Sequence, residues 1–591
     1  MFDILITDGQ IIDGTGSNAF AADLGVRDGK IAALGFLDNA EAKIKLQANG
    51  CYVTPGLIDM HSHGDCTAPF YPGMEAYLGQ GITTLFTGHC GLGLAPVDEW
   101  WLEMFAEERA ISRVVAPLPC GNRIGFDRLV KTGALEPVIR DIFGTELDWR
   151  TWGEFTEHLN RKGMGVNMAG VVPHAQIRHQ ILGLDFKRPA TESEIAGMIR
   201  LLERSLEEGA WGLGIGLDYS PGVYADANEL NALAQTVAER GGVLTAHVRT
   251  RNSTGNLNKP QPPVNGIREF LDIGLHKGTK LHISHLMSGF TIAPYNPALA
   301  REAASQTLEV IHEYREKGVQ VNWDVLPGKI FSCFNNIQLA GRLLPYVRFA
   351  GGKQAFSAAL RRDSIYRQDL ADELRGGRHV SVSSLVRIDP VENPDWDKTI
   401  FLTKTEEKDY IGLTLREIGE SMGTDGVGAM LELLARDPEI YIGRKLPDET
   451  DCADYYYTQP EASIGLDNAG YPFGYSIDEG DMPIQKTPSD AYCGFIKLLC
   501  RRITPRFEDG IKKMTGNAAA ALGLKDRGLI REGLAADLVV LSEDKLNPCE
   551  DLVNPGRPPA GIEWVIVNGR IVAERGKLLE TTAGRVFDKR P

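Results

Sequence analysis

The sequence predicts an α/β fold in which a (β/α)8 barrel carries a small β domain, built from both chain ends, and an inserted lobe. Three observations carry that expectation. Asp-Gly and Asn-Gly turns separate alternating apolar runs near both ends, eight short apolar runs alternate with helical patterns between them, and one gap in that rhythm is too long for a crossover.

The end regions come first. ILITDG followed by QIID, and LGVRDG followed by KIAAL, read as hairpins in the first fifty residues. ADLVVL and WVIVNGRIVAE, turning at Asn568 and Gly569, repeat the device near the other end. Residues 1–54 plus 523–591 are therefore expected to form one β domain. Between them the barrel strands are expected at Leu57–Ser62, Ile82–Phe86, Gly165–Val172, Gly212–Leu217, Val243–Val248, Lys280–Leu286, Val319–Val325 and Ser463–Asp467. Helical patterns at Glu192–Glu208, Asn228–Glu239, Arg301–Lys317 and Ser489–Arg501 supply the alternation. The barrel is expected over 55–330 plus 442–522. Residues 331–441 are expected to be an inserted, lid-like lobe, because an insertion after a strand's C-terminal end sits over the barrel mouth.

Composition narrows the function. The 591 residues are 43% apolar and 24% charged, an ordinary globular balance. Lys plus Arg number 63 against 79 Asp plus Glu, a net charge of −16 with no basic run, which argues against nucleic acid or an anionic membrane as partner. The longest uncharged stretch, Ala76 to Val97, holds five glycines and three threonines and is not a membrane span. No signal peptide is visible in MFDILITDGQ. Nine cysteines without a CxxC pair do not form a disulfide framework, so a reducing cytoplasm is expected. The expected partner is a small molecule, and the oligomeric state is not legible.

The chemistry concentrates at strand ends. His61 and His63 in IDMHSHGD are two residues apart on a presumed strand, so they project to one side and suit one metal ion. Taken alone, an HxH pair is equally a solvated turn. Cys90 follows the second strand in TGHCGLG, and His247 (LTAHVR) and His285 (HISHL) end the fifth and sixth. Each histidine is polar within an apolar run, which costs free energy unless a site requires it. His282 has the opposite parity to His285 and is expected to face away as a structural histidine. Asp467 in SIGLDNAG ends the eighth strand, where a helix N-cap is the alternative reading. Thiolate, imidazole and carboxylate at five strand ends point to zinc rather than calcium or magnesium, which prefer oxygen cages.

These residues also carry a resemblance. VTPGLIDMHSHGD, TGHCGLGLAP, EEGAWGLGIGLDYSPGVYA, AHVR, ISHL, MTGNAAAALGL, DRGLIREGLAADLVVL and VIVNGRIV occur in an order similar to the D-aminoacylase (N-acyl-D-amino-acid deacylase) family of the metal-dependent amidohydrolase superfamily. The resemblance implies a distorted TIM barrel beside a β-sandwich. It implies one tight zinc on Cys90, His247 and His285, with His61, His63 and Asp467 framing a second, weaker position. It further implies hydrolysis of a linear amide, with Asp467 moving the proton from water to the leaving nitrogen. Tyr219 is a candidate donor to the carbonyl oxygen, with a packed loop aromatic as its other reading.

The chain departs from the family's pattern in its pocket. Met287 stands where the SHxK lysine is usual, Leu326 and Gly328 replace the tyrosines of DxYPY, and no His-Pro-Arg motif follows Asp467 in KTPSDAYCGF. Loss of a charge and of hydroxyl donors disfavours a carboxylate-bearing substrate. Met287 and Leu326 are therefore expected to line a pocket for a neutral or more apolar amide, with Arg249 or Lys329 as the remaining anion partners. A cyclic amide or urea (hydantoinase or dihydroorotase type) would use the same metal and base. A catalytically silent scaffold should have lost ligands, and all six are present.

Overall fold

Hydrogen bonds between neighbouring parallel strands run around a ring in the computed structural model of the protein. It describes residues 1–98, 140, 144–183, 185–218, 221–249, 263–287, 296–327, 334–336, 343–376, 396–444, 450–475, 485–486, 489–551, 555–579 and 582–589. The barrel strands are Leu57–Asp59, Ile82–Thr87, Asn167–Gly170 continuing at Val172–Pro173, Gly212–Gly216, Val243–His247, Lys280–Ile283, Val321–Val325 and Ser463–Ile464. Each pairs in parallel with the next. The eighth returns to the first: the Met60 N–H donates to the Ile464 carbonyl at 2.9 Å and the Asp467 N–H to the His61 carbonyl at 2.8 Å.

Period-two alternation separates the two faces of each strand. Leu213, Ile215, Leu244, Ala246, Leu281, Ile283, Val321 and Trp323 share one core with helix residues such as Leu202, Leu233, Val237, Phe270 and Ile311. The intervening Gly212, Gly214, Gly216, Thr245, His247, His282 and Asp324 therefore point into the barrel. The surrounding helices begin at side-chain caps: Thr151 and Thr191 form reciprocal boxes with Glu154 and Glu194, and Asp226 and Asn296 cap two more.

The distortion of the barrel has a specific place. Strand four pairs with strand three only at Val172 and Pro173. The lower half of strand three is taken up by the C-terminal tail, with the Met168 N–H donating to Arg585 and the Phe587 N–H to Met168, at 2.9 and 2.7 Å. Trp211 Nε1–H anchors the same segment through the Phe587 carbonyl at 3.0 Å.

Both ends of the chain build one nine-stranded sheet in which Tyr52–Pro55 lies between Phe2–Ile11 and Leu538–Leu541. Lys30 also bridges Ala535, just before Leu538, so the sheet's far edge comes back toward its middle. Ile4, Ile6, Leu24, Ile31, Val53, Leu538, Val540 and Ile566 fill the core it encloses. The layers of this sandwich are thus parts of one hydrogen-bonded sheet.

Residues after strand seven have a core of their own, including Phe356, Leu374, Trp396, Leu402, Ile418, Met430 and Leu434. Their four-stranded sheet runs in the order Ile400–Lys404, Tyr441–Arg444, Phe334–Asn336, Gln485–Lys486. The last of these follows strand eight, so the sheet extends beyond 331–441 and spans the connections leaving strands seven and eight. Among the described residues no helix is long and apolar enough to cross a membrane.

Candidate metal centre

Cys90 reaches the middle of the barrel because glycine clears its path. It lies in the short turn His89–Gly91, entered through Gly88 at φ 82°. A Cβ on Gly214 would be driven into the Gly88 carbonyl oxygen, and one on Gly88 into that of Val171. The alternating glycines of strand four thus let the strand-two connection fold inward over strands three and four.

The six expected donors converge. Cys90 Sγ lies 3.4 Å from His61 Nε2, 3.6 Å from His285 Nε2 and 3.9 Å from His247 Nδ1. His247 Nδ1 and His285 Nε2 are 2.9 Å apart. Asp467 Oδ1 lies 3.0 Å from His63 Nε2 and 3.2 Å from His61 Nε2. Two donor groups result, His61/His63/Cys90/Asp467 and Cys90/His247/His285, each with its atoms within 4.8 Å of one another and Cys90 common to both. A tetrahedral zinc with bonds of about 2.0–2.3 Å needs ligand atoms roughly 3.3–3.8 Å apart; the separations of Cys90 from His61 and His285 fall in that range, the other four lie just outside it, and the donor chemistry is that of zinc.

Backbone conformation is part of the construction. Cys90, His285 and Asp467 hold φ of 57°, 39° and 52°, the left-handed region that side-chain-bearing residues enter at a cost. Three of six expected ligands therefore sit at sharp turns, where the chain leaves its strand and redirects a side chain. That turn explains a difference from expectation: His282, expected to face away, points into the barrel beneath His285, because the turn after Ile283 breaks strict alternation. Its Nε2 bonds Asp324 Oδ2 at 2.9 Å.

Charge is organised to match. Burial opposes ionisation of the Cys90 thiol, but the His61 charge and hydrogen bonds from His247, His285 and His61 prevail and hold it well below the ordinary thiol range. Burial likewise works against the Asp467 carboxylate, and His61 and His63 overcome it, holding the group strongly acidic. Burial favours neutral His247, whereas Asp218 and Cys90 raise it to about 9. Burial pushes the Asp59 carboxyl up to about 8, although it accepts main-chain N–H bonds from Leu466 and His61 at 3.0 and 3.1 Å.

Sequence reasoning missed this supporting layer of Asp59, Asp218, Asp324 and His89. Asp218 Oδ2, 3.4 Å from His247 Nε2, leaves His247 Nδ1 facing Cys90. His61, His89 and Asp324 also form a compact donor group. His89, however, stacks on His61 at 4.3 Å and 24°, so their in-plane lone pairs do not converge on one ion.

The expected substrate residues fare unequally. Met287 and Leu326 are half-buried, just past strands six and seven. Arg249 is corrected: it is buried, and its five N–H donors go to Glu269 (twice), Leu217, Val223 and Ala225. It pins the loop after strand four and has no donor left for a substrate anion. Arg249→Leu is expected to cost about 3 kcal/mol, the low end for breaking a buried ion pair because Glu269 is partly solvated; thermal unfolding measures it. Tyr219, Gly328 and Lys329 lie outside the described residues.

The chain is similar to known amidohydrolases over nearly its whole length. The amidohydrolase family pattern is matched by residues 487–573. The chain is 28% identical to N-acyl-D-glutamate deacylase of Alcaligenes xylosoxydans xylosoxydans, over 96% of this chain and 93% of that one. It is 26% identical to D-aminoacylase of the same organism, over 99% and 97%. The crystal structure of N-acyl-D-glutamate deacylase from Bordetella bronchiseptica, complexed with zinc and a phosphonate mimic of the tetrahedral intermediate, superposes with a TM-score of 0.66 at 25% identity, covering 99% of both chains. A D-aminoacylase crystal structure shares the fold, with a TM-score of 0.66 at 23% identity and full coverage of both chains.

Proposed function

We propose that the chain, similar over nearly its whole length to N-acyl-D-amino-acid deacylases of the amidohydrolase superfamily, is a zinc-dependent hydrolase of a linear amide bond in a small molecule whose pocket is built for a neutral or apolar group. The observation that carries this is the convergence of one thiolate, four imidazoles and one carboxylate at the barrel mouth. Cys90, His247 and His285 would hold the tight ion, and His61, His63 and Asp467, with Cys90 shared, a second. Zinc, when bound, polarises a carbonyl oxygen and brings the pKa of its water to about 7.

The chain's own residues supply the proton chemistry and the selectivity. Asp467, held anionic between His61 and His63, takes the proton of the attacking water and returns it to the leaving nitrogen. Tyr219 is the candidate donor to the developing oxyanion. Selectivity rests on Met287 and Leu326: with the guanidinium of Arg249 spent on the protein, neither they nor Arg249 offers a cation to a substrate carboxylate. A cytoplasmic setting accords with seven free cysteines among the described residues.

The test is a panel of N-acyl-D- and N-acyl-L-amino acids, their uncharged amide counterparts and cyclic amides, with Asp467→Asn as blank. Uncharged linear amides are expected to give the highest kcat/KM. Preference for the D-acids would show that another cation serves the carboxylate, and turnover of cyclic amides alone would overturn the linear-amide reading.

A further inference from the structure

Resting on the reading of the cluster as a metal centre, we propose that Asp324 is a positioning residue that fixes the tautomer of His61 and ties the two donor groups together. Asp324 is fully buried on strand seven and serves three partners. Its Oδ2 accepts from His282 Nε2 at 2.9 Å and stands 3.4 Å from His61 Nδ1, and its Oδ1 accepts from the His285 main-chain N–H at 3.0 Å.

His61 Nδ1 is buried and makes no hydrogen bond to any described residue, and the nearest acceptor is the Asp324 carboxylate, at ion-pair distance. Its proton therefore has one acceptor, the Asp324 carboxylate. With the proton there, the Nε2 lone pair is directed at the donors, 3.4 Å from Cys90 Sγ and 3.2 Å from Asp467 Oδ1. The slot is tight: a Cβ on Gly465 would press on both His61 Cβ and Asp324 Oδ1, so neither side chain has room to turn away. The other oxygen does separate work. His285 has φ 39°, and the bond from its N–H to Asp324 holds that turn, which aims the imidazole at Cys90. One carboxylate thus supports a side chain of the first donor group and the backbone of the second, while His282 anchors it from below.

The two oxygens can be separated experimentally. Metal-stripped wild-type and Asp324→Asn proteins are titrated with zinc against a chelating indicator. The amide of Asp324→Asn keeps an oxygen for the His285 N–H but loses the charge facing His61. The second zinc equivalent is therefore expected to bind 10–100-fold more weakly, the usual effect of losing an outer partner, while the first shifts less than about threefold. Asp324→Ala is expected to weaken both. Unchanged binding of the second equivalent, or equal loss of both in Asp324→Asn, overturns the proposal; so does a wild-type protein that takes one equivalent only, since His61 then holds no ion. A wild-type protein that binds no zinc sinks the metal-centre reading itself. A measurement on the unmodified chain guards against a variant that does not fold: in the two-cobalt form, the Nδ1–H of His61 is expected as a hyperfine-shifted proton that exchanges slowly with deuterium oxide, and its absence overturns the proposal.

Discussion

Asparagine in place of Asp467 is expected to lower kcat about 10³-fold, within the 10²–10⁴ range typical of a lost general base, with little change in thermal stability. The side chain keeps its volume and shape, and the Asp467 main-chain N–H still donates to the His61 carbonyl. What disappears is the charge that faces His61 and His63 and the basic oxygen they orient. Steady-state turnover of the best amide in the panel measures the loss, and zinc content determined in parallel separates it from loss of metal. Activity within tenfold of wild type, at equal zinc content, would place the base elsewhere.

Gly214→Ala is expected to disable the centre from a position that contributes no functional atom. Its Cβ would collide with the Gly88 carbonyl oxygen and crowd Val171. No side-chain rotation relieves a clash with backbone, so the turn carrying Cys90 must withdraw from strand four, moving Sγ away from His247 and His285. A displacement of about 1 Å at a reacting centre costs roughly 10²-fold in rate, so at least that loss of kcat/KM is expected, together with weaker zinc binding. The stability cost should be about 1–3 kcal/mol, as for other overpacked sites. Wild-type zinc affinity in this variant would refute the account of how Cys90 is held.

Legibility in the sequence followed the range of the interactions. Barrel strands were readable because burial imposes a period on their residues, and the six donors because histidine, cysteine and aspartate stand out at the ends of apolar runs. The carboxylates behind them were not. Asp324 reads as the polar end of a strand, and only folding shows that it meets His61, His282 and His285, which come from two other strands. His282 was misjudged because alternation was carried across a turn at which the backbone changes hand. Arg249 was misjudged because a cation after a strand end looks available for an anion, whereas the loop before it wraps around its guanidinium. The seam between strands three and four gave no signal, since the tail that fills it has no apolar run of its own.

That seam also bears on the order in which the chain can fold as it is synthesised. Val53 pairs with Val540, and strand three completes its hydrogen bonding only with residues 585–587. While the ribosome still holds the last part of the chain, the N-terminal strands can pair with one another, but the outer edge of Tyr52–Pro55 and the lower edge of strand three have no partners and stand exposed to neighbouring chains. Contacts as distant in sequence as Val53 with Val540 carry a large loop-closure entropy, so the β domain and the barrel cannot each be completed before the residues that follow them are made. Its assembly is a late event, completed only once the whole chain is available.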